Sequence, residues 1–189
     1  MLAMAEEFEQ QPIYQVLAEF RLNHPNEELF ARMLDSWSQG LGALPAWLGL
    51  GESGFAAMFA RYFAGAPWPE LPQCAAPDAG REAEREELRT LLLLHRAGRD
   101  RSEEWLADIV SHACMASDHL WQDLGLWSRQ DLSALMADNF PALKAKNDRD
   151  MKWKKFLYKQ LCNQEGIYTC RSPSCEVCAD YQACFGPED

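Results

Sequence analysis

Positive charge is scarce in this 189-residue sequence: 18 lysines and arginines stand against 29 aspartates and glutamates, for a net charge of −11. A chain this acidic repels a phosphate backbone, so general nucleic-acid binding is not expected. Long apolar runs are also lacking. No stretch approaches the ~18 uninterrupted apolar residues of a membrane span. The opening residues, Met1-Leu-Ala-Met-Ala-Glu-Glu-Phe-Glu9, carry neither the basic region nor the apolar run of a secretory signal. A cytoplasmic protein that does not enter a membrane is the expectation. There is no convincing run of alternating β-branched residues, which argues against strands. The phosphate-binding loop of nucleotide enzymes, GxGxxG, GxSxG and HExxH are all missing. The many carboxylates form no pattern that singles out a catalytic pair, so an independent enzyme is not expected.

What is plentiful is cysteine, and it is concentrated at one end. Four of the seven fall between Cys170 and Cys184, spaced C-x4-C-x2-C-x5-C over Cys170, Cys175, Cys178 and Cys184. Pro173 lacks an N–H and biases Ser172 away from helical angles, so the first gap must be a loop. A loop can aim several thiolates at one object, and thiolates are soft donors suited to iron–sulfur clusters, zinc or copper(I). The first three cysteines repeat the C-x4-C-x2-C run of plant-type ferredoxins, although there the fourth ligand lies far downstream. Structural zinc sites more often pair two C-x2-4-C units, and here there is one. Iron–sulfur cluster and zinc both stay open on spacing. Disulfides fit less well, because a chain of this length can bury a core without staples and seven is an odd number.

Hydrophobic spacing reads helical almost throughout. Helices are expected over residues 10–22, 26–39 with Asn26 as cap, 52–64, 81–97, 102–124, 128–139 opened by Ser128, and 150–162. The run Leu91-Leu92-Leu93-Leu94 covers every side of a turn and marks its helix as central. A proline-rich loop is expected near 64–80. The architecture is therefore all-α: a helical bundle over residues 1–162 and an irregular cysteine-rich tail over 163–189.

Several further side chains are candidates. His112, Cys114 and His119 are ligand types on one expected helix, though an unbroken helix would turn Cys114 away from the two histidines. Cys162 ends the last helix eight residues before the loop. All four are auxiliary ligand candidates, and each also has a plain reading, as buried thiol or hydrogen-bonded imidazole. Between Lys144 and Lys159 seven basic residues stand against two aspartates. Lys152, Lys154, Lys155 and Lys159 of that window form a candidate patch for an anion or an acidic partner, or simply the wet face of an amphipathic helix.

Met151-Lys-Trp-Lys-Lys-Phe-Leu-Tyr-Lys-Gln-Leu-Cys162, Gly166-Ile-Tyr-Thr-Cys170, Ser172-Pro-Ser-Cys175-Glu-Val-Cys178 and Cys184-Phe-Gly-Pro-Glu188 together resemble the NifQ family of nitrogen-fixation proteins. Leu44-Pro-Ala-Trp-Leu-Gly-Leu50, Leu92-Leu-Leu-His95-Arg-Ala-Gly98, Ala113-Cys114-Met115 and Asp118 through Arg129 are similar to the same family, so the likeness runs over roughly residues 40 to 188. It implies a carrier that holds an iron–sulfur cluster incorporating molybdenum and supplies molybdenum for the nitrogenase iron–molybdenum cofactor. It further implies Cys170, Cys175, Cys178 and Cys184 as ligands. Its implied partners are the cofactor-assembly scaffold and the nitrogenase Fe protein, with molybdate and an iron–sulfur source upstream.

Overall fold

In the computed structural model of the protein, residues 12–70, 72–74, 76, 78–164 and 181–186 are described, and every regular element among them is helical. In chain order these are α1 (Ile13–Ala18), α2 (Glu27–Ser38), a 3-10 turn at Ala46–Gly49, α3 (Gly51–Tyr62), a second 3-10 turn at Ala79–Arg81, and α4 (Glu82–Leu94). There follow α5 (Ser102–Cys114), α6 (Leu120–Asp123), α7 (Arg129–Asn139), α8 (Pro141–Lys146), α9 (Trp153–Gln164) and α10 (Tyr181–Phe185). The all-α class read from the sequence holds. No helix among the described residues is long and apolar enough to cross a membrane.

The helix at the centre is α5, where Leu106, Ala107, Ile109, Val110 and Ala113 are all fully buried. The leucine-run helix α4 is not central, contrary to the sequence expectation. It packs along α5 and α9 on one side only, so Leu91 and Leu92 are buried while Leu94 is 70% exposed. A large aromatic block closes the other side of the core. Phe30, Trp37, Phe55, Tyr62 and Phe63 are buried, with Phe55 stacked on Phe59 at 5.9 Å between ring centroids.

Two helix ends differ in detail from expectation. Asn26 holds the N-cap position expected of it, but at φ +67° and with no capping bond from its side chain. Its amide instead donates to the Ser102 hydroxyl (2.8 Å) and to the Asn139 side-chain oxygen (2.6 Å), and Asn139 donates back at 2.9 Å. That exchange ties the start of α2 to the end of α7, and it satisfies polar groups that burial would otherwise leave costly. The second difference is the expected helix over 102–124, which breaks after Cys114 and resumes at Leu120. There the Gln122 side chain accepts from the His119 N–H at 3.3 Å.

Buried carboxylates shape the loops. Glu103, 2% exposed, accepts from the backbone N–H groups of Gly98, Arg99 and Asp100 at 2.6, 2.8 and 3.1 Å. Glu27 does the same for Leu22 and Asn23 at 2.5 and 3.0 Å. Each carboxylate replaces the water that those turn amides would lose on burial.

Candidate functional site

The break after Cys114 has a chemical cause. The last carbonyls of a helix lack intrahelical donors and carry partial negative charge, which cations stabilise. Arg81 donates to the Met115 carbonyl at 2.5 Å and Lys154 to the Ala116 carbonyl at 2.8 Å. The two cations come from distant elements, the turn before α4 and the first turn of α9. Lys154 also forms a short ion pair with Asp123, whose side chain is 4% exposed. Arg81 pairs with Glu84 at 2.5 Å and donates to the Tyr158 hydroxyl at 3.0 Å, while that hydroxyl in turn donates to Glu84. One polar joint thus fastens α4, α5, α6 and α9 together.

Cys114 lies inside this joint, 2% exposed. Burial pushes its thiol up to about 12, against the pull of Lys154. At neutral pH it is a protonated thiol, and thiolate is the form that binds soft metals. Burial also pushes the Asp123 carboxyl up, and the Lys154 ion pair offsets this only in part. The lysine patch drawn from the sequence needs a correction here. Lys154 points inward to Asp123, whereas Lys155 is exposed and Lys152 and Lys159 are half-buried.

His112 and His119 belong to different segments, His112 to α5 and His119 to the position before α6. His112 lines a cavity of about 410 Å³ together with Cys74, Met115, Arg81 and Arg85. Burial, then Arg85, holds its imidazole below its ordinary value, hence neutral. Gly49 is required beneath it. At φ +81° the Cβ of any other residue would stand 2.1 Å from the His112 ring. Among the described residues no three histidine, cysteine or carboxylate side chains come together as a metal site.

Of the four-cysteine run, Cys170, Cys175 and Cys178 lie outside the described residues, as does Tyr168. Cys184 is half-buried on α10 and packs with Phe185 against the core. Its carbonyl accepts from the Lys152 N–H at 2.9 Å, so the end of the run is fastened to the residue just before α9. Cys162, also half-buried, lies in the last turns of α9. Beside α10 is a second cavity of about 190 Å³ whose rim carries Lys146, Arg149 and Lys159. The sequence reading passed over Arg81, Asp123 and Tyr158, which complete the joint. Nothing in their local spacing marks them, because they meet only in three dimensions.

Among the described residues, fold and site define an all-helical protein with a short cysteine-bearing helix fastened beside the start of α9. Which such protein is settled by comparison. The NifQ family model matches residues 29–186. Protein NifQ of Azotobacter vinelandii is 43% identical over 184 residues, covering 89% of this chain and 92% of that protein. Protein NifQ of Rhodobacter capsulatus is 41% identical over 160 residues, 85% of this chain and 87% of the relative. A NifQ homolog of Sinorhizobium fredii is 43% identical over 99 residues, 52% of this chain and 43% of the relative. The chain belongs to the NifQ family of nitrogen-fixation proteins. No solved structure matches it.

Proposed function

We propose that this protein is a carrier, not a catalyst, which takes up molybdenum within an iron–sulfur cluster and passes it on for assembly of the nitrogenase iron–molybdenum cofactor in the cytoplasm. The observation that carries the reading is the cysteine run at the C-terminal end, set apart from the sealed thiol of the core. Cys170, Cys175, Cys178 and Cys184 would hold the cluster as cargo, with soft sulfur donors toward iron. Cys184 fits that role, since it is half-buried and carried on a short helix, so its sulfur is not sealed as that of Cys114 is. Cys162, half-buried in the last turns of α9, is the more open of the auxiliary thiols, because Cys114 is sealed in the core. The receiving partners would be the cofactor-assembly scaffold and the nitrogenase Fe protein.

The test is elemental analysis of protein purified anaerobically from cells given iron and molybdate. Several irons with molybdenum per chain are expected, and Cys175→Ala should lose both while helical content stays unchanged. Iron without molybdenum would reduce the reading to electron transfer. One zinc and no iron, before and after reconstitution, would replace it with a structural zinc knuckle.

A further inference from the structure

The larger cavity, about 410 Å³, falls in the ~300–1,000 Å³ range of sites for small organic ligands. Three segments build it: the loop after α2, the chain from Pro72 into α4, and the end of α5. The loop is held before any ligand arrives. The Ala43 N–H donates to the Asp123 carbonyl at 2.9 Å, and the Trp37 indole donates to the Pro45 carbonyl at 3.2 Å. Trp37 and Leu44, 2% and 5% exposed, give an apolar wall, and Met115 adds a polarisable thioether.

Both signs of charge line the same space, Asp78 and Glu82 with Arg81 and Arg85. Arg81 spends Nε and Nη2 on Glu84 and Tyr158, and one Nη1 hydrogen on the Met115 carbonyl. A guanidinium has five N–H groups, so one Nη1 hydrogen is left for a ligand oxygen. Asp78 is exposed, and its Oδ1 accepts from the Gly80 N–H at 2.8 Å, which leaves Oδ2 for a ligand donor. His112 offers an acceptor too. Its bond to the Gly49 backbone draws the imidazole toward the charged form, as only an acceptor does, so the ring N–H goes to the Gly49 carbonyl. The other nitrogen of the neutral ring then carries a lone pair.

A plain anion would enter beside two carboxylates, and a plain cation beside two guanidinium groups. An apolar molecule would strip water from all four without replacing it. A molecule with one charge of each sign meets both. We propose that this cavity binds a small zwitterion of the amino-acid class, with its carboxylate on Arg81, its ammonium toward Asp78 and His112, and an apolar side chain against Trp37 and Leu44. Such a site is independent of the cargo at the cysteine run.

Isothermal titration calorimetry of the full-length protein with L-methionine and L-leucine tests it, beside the deaminated and the decarboxylated analogue of each. At least one amino acid should bind, and its single-charge analogues should bind about tenfold more weakly or worse, having lost one charge-assisted contact. Asp78→Asn keeps an oxygen for the Gly80 N–H. It should weaken the amino acid about fivefold or more, and leave the deaminated analogue within about twofold. Asp148→Asn, an exposed carboxylate outside the cavity, should change neither. Ala76→Trp, on the exposed rim, should block every probe with the urea midpoint unchanged. Tighter binding of the deaminated analogue would make this a site for plain anions and overturn the zwitterion. Binding of none of the probes, equal binding of all, or no change in Asp78→Asn would overturn it as well.

Discussion

Cys114 and Cys184 are the same side chain in opposite settings. Cys114 is 2% exposed within a joint of two ion pairs and a tyrosine, on the most deeply buried helix. Cys184 is half-buried on a five-residue helix, where its carbonyl accepts from the Lys152 N–H and its neighbour Phe185 packs against the core. A ligand that must be loaded and released needs a thiolate that can form and an element that can open at small cost. The joint meets neither requirement: its thiol is buried and its helix is the core of the bundle. The comparison separates two settings of cysteine that composition alone counts together: one thiol helps fill the core, and the other stays half-buried on a short helix.

The strongest way to break the comparison is to damage the joint and ask whether the cysteine end suffers. Asp123→Ala leaves the Lys154 ammonium, 16% exposed, without its carboxylate. Breaking a buried pair from one side costs about 3 kcal/mol, whereas replacing both partners by apolar residues of similar volume is close to neutral. Urea unfolding should therefore show a large loss for Asp123→Ala and recovery of most of it in Asp123→Leu with Lys154→Met. An additive double variant would show that the two residues are not coupled.

The sequence disclosed most of the helices because their apolar spacing is local: α2, α3, α4, α7 and α9 all lie within a few residues of expectation. The Ser128 cap was readable for the same reason, and its hydroxyl does accept from the Asp131 N–H at 3.2 Å. What spacing could not show is where a helix stops for tertiary reasons. The run from Ser102 to Leu124 is periodic enough to continue, but its carbonyls at Met115 and Ala116 are taken by Arg81 and Lys154 from distant segments. Lys154 misled for the same reason, since a lysine in an amphipathic helix is normally wet and here it serves as the counterion of a buried aspartate. The cysteine run stands out in the sequence because its spacing is encoded along the chain, and of its four cysteines the described residues include Cys184 alone. The rim of the small cavity was legible only as excess charge, because Lys146, Arg149 and Lys159 come from three segments.

A sharper form of the comparison uses pH. Burial raises the Cys114 thiol from its ordinary 9.0 to about 12, and burial with the Glu84 hydrogen bond raises the Tyr158 phenol as well. A group whose pKa is raised by folding holds its proton more tightly in the folded chain. Its stabilisation is complete below the unfolded value and is lost as pH climbs toward the folded one. Stability should thus fall between pH 9 and 12, with roughly 1 kcal/mol per pH unit from the thiol alone. In Cys114→Ala the fall should be shallower over the same range. Parallel urea-midpoint profiles for the two proteins would mean that the thiol is not sealed.

The smallest expected effect comes from Tyr158→Phe. The hydroxyl joins Glu84 to Arg81, but Glu84 keeps its own bonds to Arg81 at 2.5 and 2.9 Å and its side chain is 33% exposed. No group is left buried and unpaired, so the loss should be only about 1 kcal/mol, the net worth of an ordinary hydrogen bond. That mildness makes the variant useful, because it loosens α9 at the joint without unfolding the bundle. If the joint only holds the helix, iron and molybdenum per chain will match the wild type. If metal is lost while the urea midpoint barely moves, α9 transmits the state of the joint to Cys162 and Cys184, and the two cysteine settings are coupled after all.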